Sequence, residues 1–140
     1  MITATRRIQF AAGHRVFGHE GKCRWLHGHN FVAFLTAASA DLDSVGRVID
    51  FGVLKAKVGG WVDREWDHGF LVWERDVEAR AALAQVAGQK IYVLPANPTA
   101  ENIADHLLRV VGPETLAGTG VRLVKVTLYE TENGLAEATL

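Results

Sequence analysis

Apolar and polar residues alternate from Thr3 to His14. Ile8, Phe10, Ala12 and His14 share one parity, and Arg7, Gln9 and Ala11 the other. A period of two predicts a strand with one buried face, with His14 closing its apolar row. Glycines, histidines and charges fill Arg15 to Leu26, which predicts a loop. From His27 to Ala38 a second strand carries Phe31, Ala33 and Leu35 on one face and Val32 and Phe34 on the other. Both of its faces are therefore expected to be covered. The spacing then changes to three and four at Phe51, Leu54, Val58, Trp61 and Val62. That predicts a helix capped by Asp50 and weakened at Gly59-Gly60. A weaker helical stretch runs from Arg75 to Ala87, and Lys90 to Leu94 suits a short strand. Asn97-Pro98-Thr99 opens another helix, capped by Asn97 or by Thr99, with a stripe of Ile103, Leu107, Val110 and Val111 and an end at Gly112-Pro113. Val121 to Glu130 is a third long strand, and Asn133-Gly134 a tight turn before a last strand to Leu140. Neighbouring strands at both ends of the chain predict an α+β layer fold, an antiparallel sheet with helices on one side.

Length and charge narrow the function classes. The 140 residues predict a single domain, 1–140. The net charge of −1 lacks the basic excess of a nucleic-acid binder. No apolar run approaches the ~18 residues of a membrane helix, and the N-terminal residues lack a signal-peptide core. One cysteine, Cys23, excludes a disulfide within the chain, so a cytoplasmic enzyme or binding protein is expected. Against that one cysteine stand six histidines.

Three of the histidines suggest a metal site. In a strand, His27 and His29 point to the same side, so two imidazoles can converge on one ion. If the first two strands form a hairpin, His14 joins them. Three histidines and an open position make a catalytic rather than a closed structural site. His19, among loop charges, and His106, on a helix, are read as structural. Cys23 lies between Lys22 and Arg24, cationic neighbours that favour a thiolate able to act as a general base. A fourth metal ligand or a small buried side chain are the other readings. Asp67 beside His68 suits an oriented imidazole for proton transfer, or a carboxylate capping a turn. Glu130 ends the apolar row of Val124, Val126 and Leu128. Either it pairs with adjacent N–H donors such as the amino-pyrimidinone edge of a pterin or guanine, or the strand has emerged into solvent there.

These motifs occur in a recognisable order: Phe10-Ala11-Ala12-Gly13-His14, Cys23, His27-Gly28-His29-Asn30, Val48-Ile49-Asp50-Phe51, Asp67-His68, Asn97-Pro98-Thr99-Ala100-Glu101-Asn102 and Tyr129-Glu130-Thr131. The set resembles the 6-pyruvoyl- and 6-carboxy-tetrahydropterin synthase family. The three-residue spacer between Cys23 and His27 is similar to that of the bacterial carboxy branch. The resemblance implies a tunnelling fold: a four-stranded antiparallel sheet with helices on one face, three copies closing a barrel and two trimers stacking as a homohexamer. It implies Zn2+ on His14, His27 and His29, Cys23 with Asp67 and His68 as catalytic residues, and Glu130 and Thr99 at the pterin. Asp50-Phe51 is read as a helix cap and a core aromatic. The implied reaction is that of a lyase of queuosine and deazapurine biosynthesis. It converts 7,8-dihydroneopterin triphosphate to 6-carboxy-5,6,7,8-tetrahydropterin. Arg15, Lys22 and Arg24 are candidates to meet the triphosphate, or equally solvated loop charges. Formation of the pyruvoyl product, cleavage of unphosphorylated dihydroneopterin, and a non-catalytic zinc-stapled pterin- or purine-binding module are the alternatives. The segment from Gly69 to Ala96 departs from the shortest family members.

Overall fold

The computed structural model describes residues 1–140. Its framework is a six-stranded mixed sheet in the order β4-β3-β1-β2-β5-β6. The long strands β1 (Ala4–His14), β2 (His27–Ser39) and β5 (Val121–Thr131), with β6 (Gly134–Thr139), pair antiparallel. Two short strands, β3 (Gly69–Trp73) and β4 (Ile91–Leu94), add to the β1 edge in parallel. The expected four-stranded antiparallel sheet is thus β1-β2-β5-β6, four of the six strands, extended at one edge by β3 and β4. The extra strands belong to the segment from Gly69 to Ala96, and β3, which pairs with β1 at only two positions, shows no alternation of its own.

The inward rows are the ones the alternation predicts. Phe10, Phe31, Ala33, Leu35, Val126 and Leu128 are at most 1% exposed. Only this face of β2 is covered by helices. On the other, Val32 and Phe34 are half-buried, and Phe34 meets Tyr129 edge-on at 5.9 Å. A bulge opposite Thr36 and Ala37 displaces Val124 from the apolar row, so Leu123 and Val126 both face inward.

Three helices complete the fold. The first runs from Phe51–Leu54 through a π-helical turn, Lys55–Gly59, into Gly60–Glu65. Asp50 caps it, accepting from the Gly52 N–H at 2.7 Å. Leu54, Val58, Trp61 and Val62 are buried, whereas Phe51, in the first turn, is 55% exposed and is not a core aromatic. The Gly pair does not end the helix, and Gly59 packs closely on Ile8 of β1. The second helix, Val77–Ala84, is capped by Asp76. The third begins at Ala100–His106, where Thr99 rather than Asn97 is the cap. It continues past Gly112-Pro113 to Thr115, because a π turn at Leu107–Val111 precedes the proline and Pro113 sits in a new first turn that needs no N–H. No helix is long and apolar enough to cross a membrane.

His106 lies in this core, hydrogen-bonded through Nε2 to the Tyr92 hydroxyl at 2.9 Å and close to the Trp66 ring. Burial holds its pKa below 6.5, outweighing the opposite pull of Asp105 and Glu114. As pH falls, the unfolded chain therefore takes up the proton first, and stability declines from about pH 6.5 downward until the lower folded value is passed. Urea unfolding between pH 7.5 and 5 is expected to show that decline, and His106→Gln to make it shallower. An equal slope in both proteins would remove His106 from this account.

Candidate functional site

The β1–β2 ladder brings the three histidines together. His14 is opposite His27, and His29 is opposite Ala12. Their ring centroids lie 4.7 to 5.2 Å apart, and one nitrogen from each falls within 4.8 Å of the others. Phe31, next inward on the same face of β2, sets its ring edge-on to His14 and His29 and forms the apolar floor.

Backbone carbonyls orient two of the rings. His14 Nδ1 is 2.7 Å from the Pro98 carbonyl, and His27 Nδ1 is 2.6 Å from the Trp25 carbonyl. Each Nδ1 therefore donates a proton, which leaves Nε2 as the ligand atom. The buried Nε2 atoms of His14 and His29 have no hydrogen-bond partner. Burial keeps both imidazoles below the ordinary histidine pKa, against the pull of Glu130. Neutral imidazoles with inward lone pairs are what a metal ion requires, and imidazole-rich sites suit zinc among the transition metals. The donor set therefore fits the implied ion.

The Asn-Pro-Thr turn supports this arrangement more broadly than its expected part at the pterin. Pro98 holds His14, and Thr99 caps the third helix through the Asn102 N–H at 3.2 Å. Asn97 accepts from the Phe17 N–H at 3.0 Å and donates to the Phe17 carbonyl at 2.9 Å. The sequence reading overlooked Asn97 and the Pro98 carbonyl as supports. The only signal for them was an uncommitted Asn beside a proline, since a carbonyl's partner leaves no trace in residue type.

Cys23, Thr99 and Glu130 share a cleft of roughly 320 Å³. Cys23 is a half-buried free thiol on a short turn, Lys22–Arg24. Glu130 falls where the β5–β6 pairing skips a residue between Tyr129 and Thr131, a bulge of the kind that re-aims a side chain. Its carboxylate approaches His29 Nε2 at 3.4 Å and His14 Nε2 at 3.8 Å. The turn that follows is Glu132-Asn133, one residue earlier than predicted.

Asp67 and His68 line up elsewhere. Asp67 Oδ1 accepts from the Ala11 N–H at 2.9 Å, and the His68 N–H donates to the Ala11 carbonyl at 2.7 Å. The pair thus takes the place of a neighbouring strand on β1. Asp67 Oδ2 accepts from His68 Nδ1 at 2.7 Å. Burial opposes the charge on Asp67, yet the Ala11 N–H, His68 and Lys90 together hold its carboxyl below the usual range. His68 adopts a left-handed backbone, φ 60°, uncommon away from glycine, and its side chain is 81% exposed. It lines a second cleft, of roughly 430 Å³, with Gly13, His27, Gly28 and Asn30. Cys23 and His68 therefore line different clefts.

Of the cations expected near a phosphate, Arg15 is already engaged. Its guanidinium grips Asp76 at 2.5 and 2.7 Å and Glu78 at 3.1 Å. Lys22 and Arg24 are exposed, with Arg24 lying 4.7 Å above the Trp25 ring. His19 hydrogen-bonds the Gly21 N–H in its own loop.

Four antiparallel strands, helices packed on one face and a three-histidine cluster at the end of the first hairpin define the class. The 6-pyruvoyl tetrahydropterin synthase family matches residues 3–139, and the chain belongs to that family. It is 42% identical over 137 residues to a 6-carboxy-5,6,7,8-tetrahydropterin synthase of Rickettsia bellii, covering 98% of this chain and 99% of that one. Its fold is similar to that of an uncharacterised protein of Wolinella succinogenes, with a TM-score of 0.80, 22% identity and coverage of 99% and 97%. It is also similar to the 6-pyruvoyl tetrahydropterin synthase of Caenorhabditis elegans, with a TM-score of 0.69, 24% identity and coverage of 99% and 95%.

Titration of the metal-free chain with Zn2+ or Co2+ is expected to show one ion per chain, with His14→Ala abolishing that binding. Asn97→Ala, which loosens the turn carrying Pro98, should weaken it by about 10–100-fold, the usual cost of losing outer-shell support. Undiminished binding by His14→Ala would place the metal elsewhere.

Proposed function

We propose that this chain is a zinc-dependent lyase that converts 7,8-dihydroneopterin triphosphate to 6-carboxy-5,6,7,8-tetrahydropterin, releasing acetaldehyde and triphosphate. The observation that carries this reading is the cleft of Cys23, Thr99 and Glu130 opening beside the three-histidine cluster, with Glu130 3.4 Å from His29. The 42% identity to proteins named for the carboxy product favours that product over the pyruvoyl one.

Each residue has a defined task. Glu130 accepts two N–H groups from the pyrimidinone edge of the pterin, and the bulge keeps its carboxylate over the site. Thr99 lines the same pocket while its hydroxyl caps the helix. His14, His27 and His29 would hold the zinc, whose Lewis acidity would act on the oxygens of the substrate's side chain. Cys23 exchanges a proton with one side of that chain, and His68 exchanges one with the other. Asp67 fixes the His68 tautomer by accepting from Nδ1, which leaves Nε2 for the transfer. Since Cys23 and His68 line different clefts, we place the working site between copies in a homo-oligomer, a dimer of trimers. Exposed Lys22 and Arg24 remain to meet the triphosphate, now without Arg15. The redox change is internal to the pterin, so no nicotinamide or flavin is invoked. We place the enzyme in the cytoplasm and its product in queuosine and deazapurine biosynthesis.

Incubation of the zinc-loaded protein with 7,8-dihydroneopterin triphosphate is expected to yield acetaldehyde and a pterin of the carboxylated mass. A pyruvoyl mass without acetaldehyde would overturn the assignment of product. Cys23→Ala should retain its metal and oligomer and lose about 10²–10⁴-fold in kcat, the usual worth of a positioned acid or base. Full turnover by that variant would remove Cys23 from the chemistry.

A further inference from the structure

The segment from Gly69 to Ala96 meets the Cys23 loop through the charged side chain of Arg15, which pairs with Asp76 and Glu78. Asp76 caps the second helix, accepting from the Ala79 N–H at 3.2 Å. It is 1% exposed and pairs with Arg15 through two hydrogen bonds. Arg15 directly follows the metal-site residue His14 and is the first residue of the loop. Its neighbour Val16 donates its backbone N–H to the Cys23 carbonyl at 2.8 Å. From the same segment, Trp73 packs edge-on against Phe17 at 5.7 Å. The contacts form a short chain: Asp76 to the Arg15 side chain, Arg15 to the adjoining Val16 backbone, and Val16 to Cys23.

A helix cap alone does not require a bidentate arginine. A carboxylate buried this deeply and paired twice fixes the position of its partner, because losing either charge strands the other in a desolvated place. Glu78 also touches Arg15, but it is 82% exposed, and an exposed pair holds its partner weakly. We propose that Asp76 is a positioning residue for the Cys23 loop, and that the β3–helix–β4 segment serves this chain as the buttress of that loop. The link to turnover rests on Cys23 being the reacting thiol, whereas the link to loop position does not.

Asp76→Ser separates the two roles, since serine retains a capping oxygen but cannot pair with Arg15. Amide hydrogen exchange at Val16 and alkylation of Cys23, the one thiol in the chain, report loop position without any turnover. In Asp76→Ser both rates are expected to rise on the order of tenfold through local opening, while the second helix keeps its protection. Arg15→Gln, which keeps the capping carboxylate of Asp76, should reproduce both changes, and Glu78→Gln should change neither. In the turnover assay, Asp76→Ser should lower kcat and leave KM near that of the parent. If Asp76→Ser and Arg15→Gln leave Val16 exchange and Cys23 alkylation unchanged, Asp76 is a helix cap and the proposal fails. If Asp76→Ser does not fold, Arg15→Gln decides alone. Faster alkylation with unchanged kcat would keep the buttress and overturn the chemical role of Cys23 instead.

Discussion

Eleven residue pairs join β1 to β2, from Ala4 opposite Ala37 to His14 opposite His27. This register places every histidine of the candidate metal site. A slip of one residue would turn each side chain of β2 to the other face and separate His27 and His29 from His14. The slip is opposed by what lies further along the same ladder. Phe10 stacks on Phe31 at 5.2 Å, and Phe31, Ala33 and Leu35 are wholly buried. The apolar core thus holds the polar site in place, because both lie on one face of one hairpin.

The surrounding elements supply what the hairpin cannot. The open edge of β1 at Ala11 is closed by the Asp67 carboxylate and the His68 backbone. Gly13 lets Phe70 approach β1 closely, since a Cβ there would collide with its ring. The Asn-Pro-Thr turn then reaches the far end of β1 and fixes the His14 ring through a carbonyl. The contacts at Ala11 and His14 each satisfy a polar group of β1, and the one at Gly13 sets the spacing between β1 and β3.

Much of this was legible from residue pattern. Strict alternation marked β1 and its inward row, including His14, and the His-Gly-His spacing put two imidazoles on one side of β2. The family resemblance added the roles that pattern alone left open for Cys23, Asp67, His68 and Glu130. Other features had no signature in local sequence. β3 meets β1 in parallel at two residues, a pairing with no periodicity to reveal it. The β5 bulge displaced Val124 from its row and another carried Glu130, because a skipped residue changes parity without changing composition. Arg15 looked free for a phosphate since its partner, Asp76, lies 61 residues away. Pro98 acts through a backbone oxygen, which no residue type announces.

In the proposed enzyme the metal and the pterin occupy adjoining positions at the end of the β1–β2 hairpin. Anomalous diffraction at the zinc edge, from crystals of the zinc-loaded protein grown with a pterin lacking a cleavable side chain, tests this proximity directly. One anomalous peak shared by His14, His27 and His29 is expected, with the pyrimidinone edge of the ring against Glu130. A peak away from those histidines, or a ring bound in a cleft without Glu130, would contradict that placement.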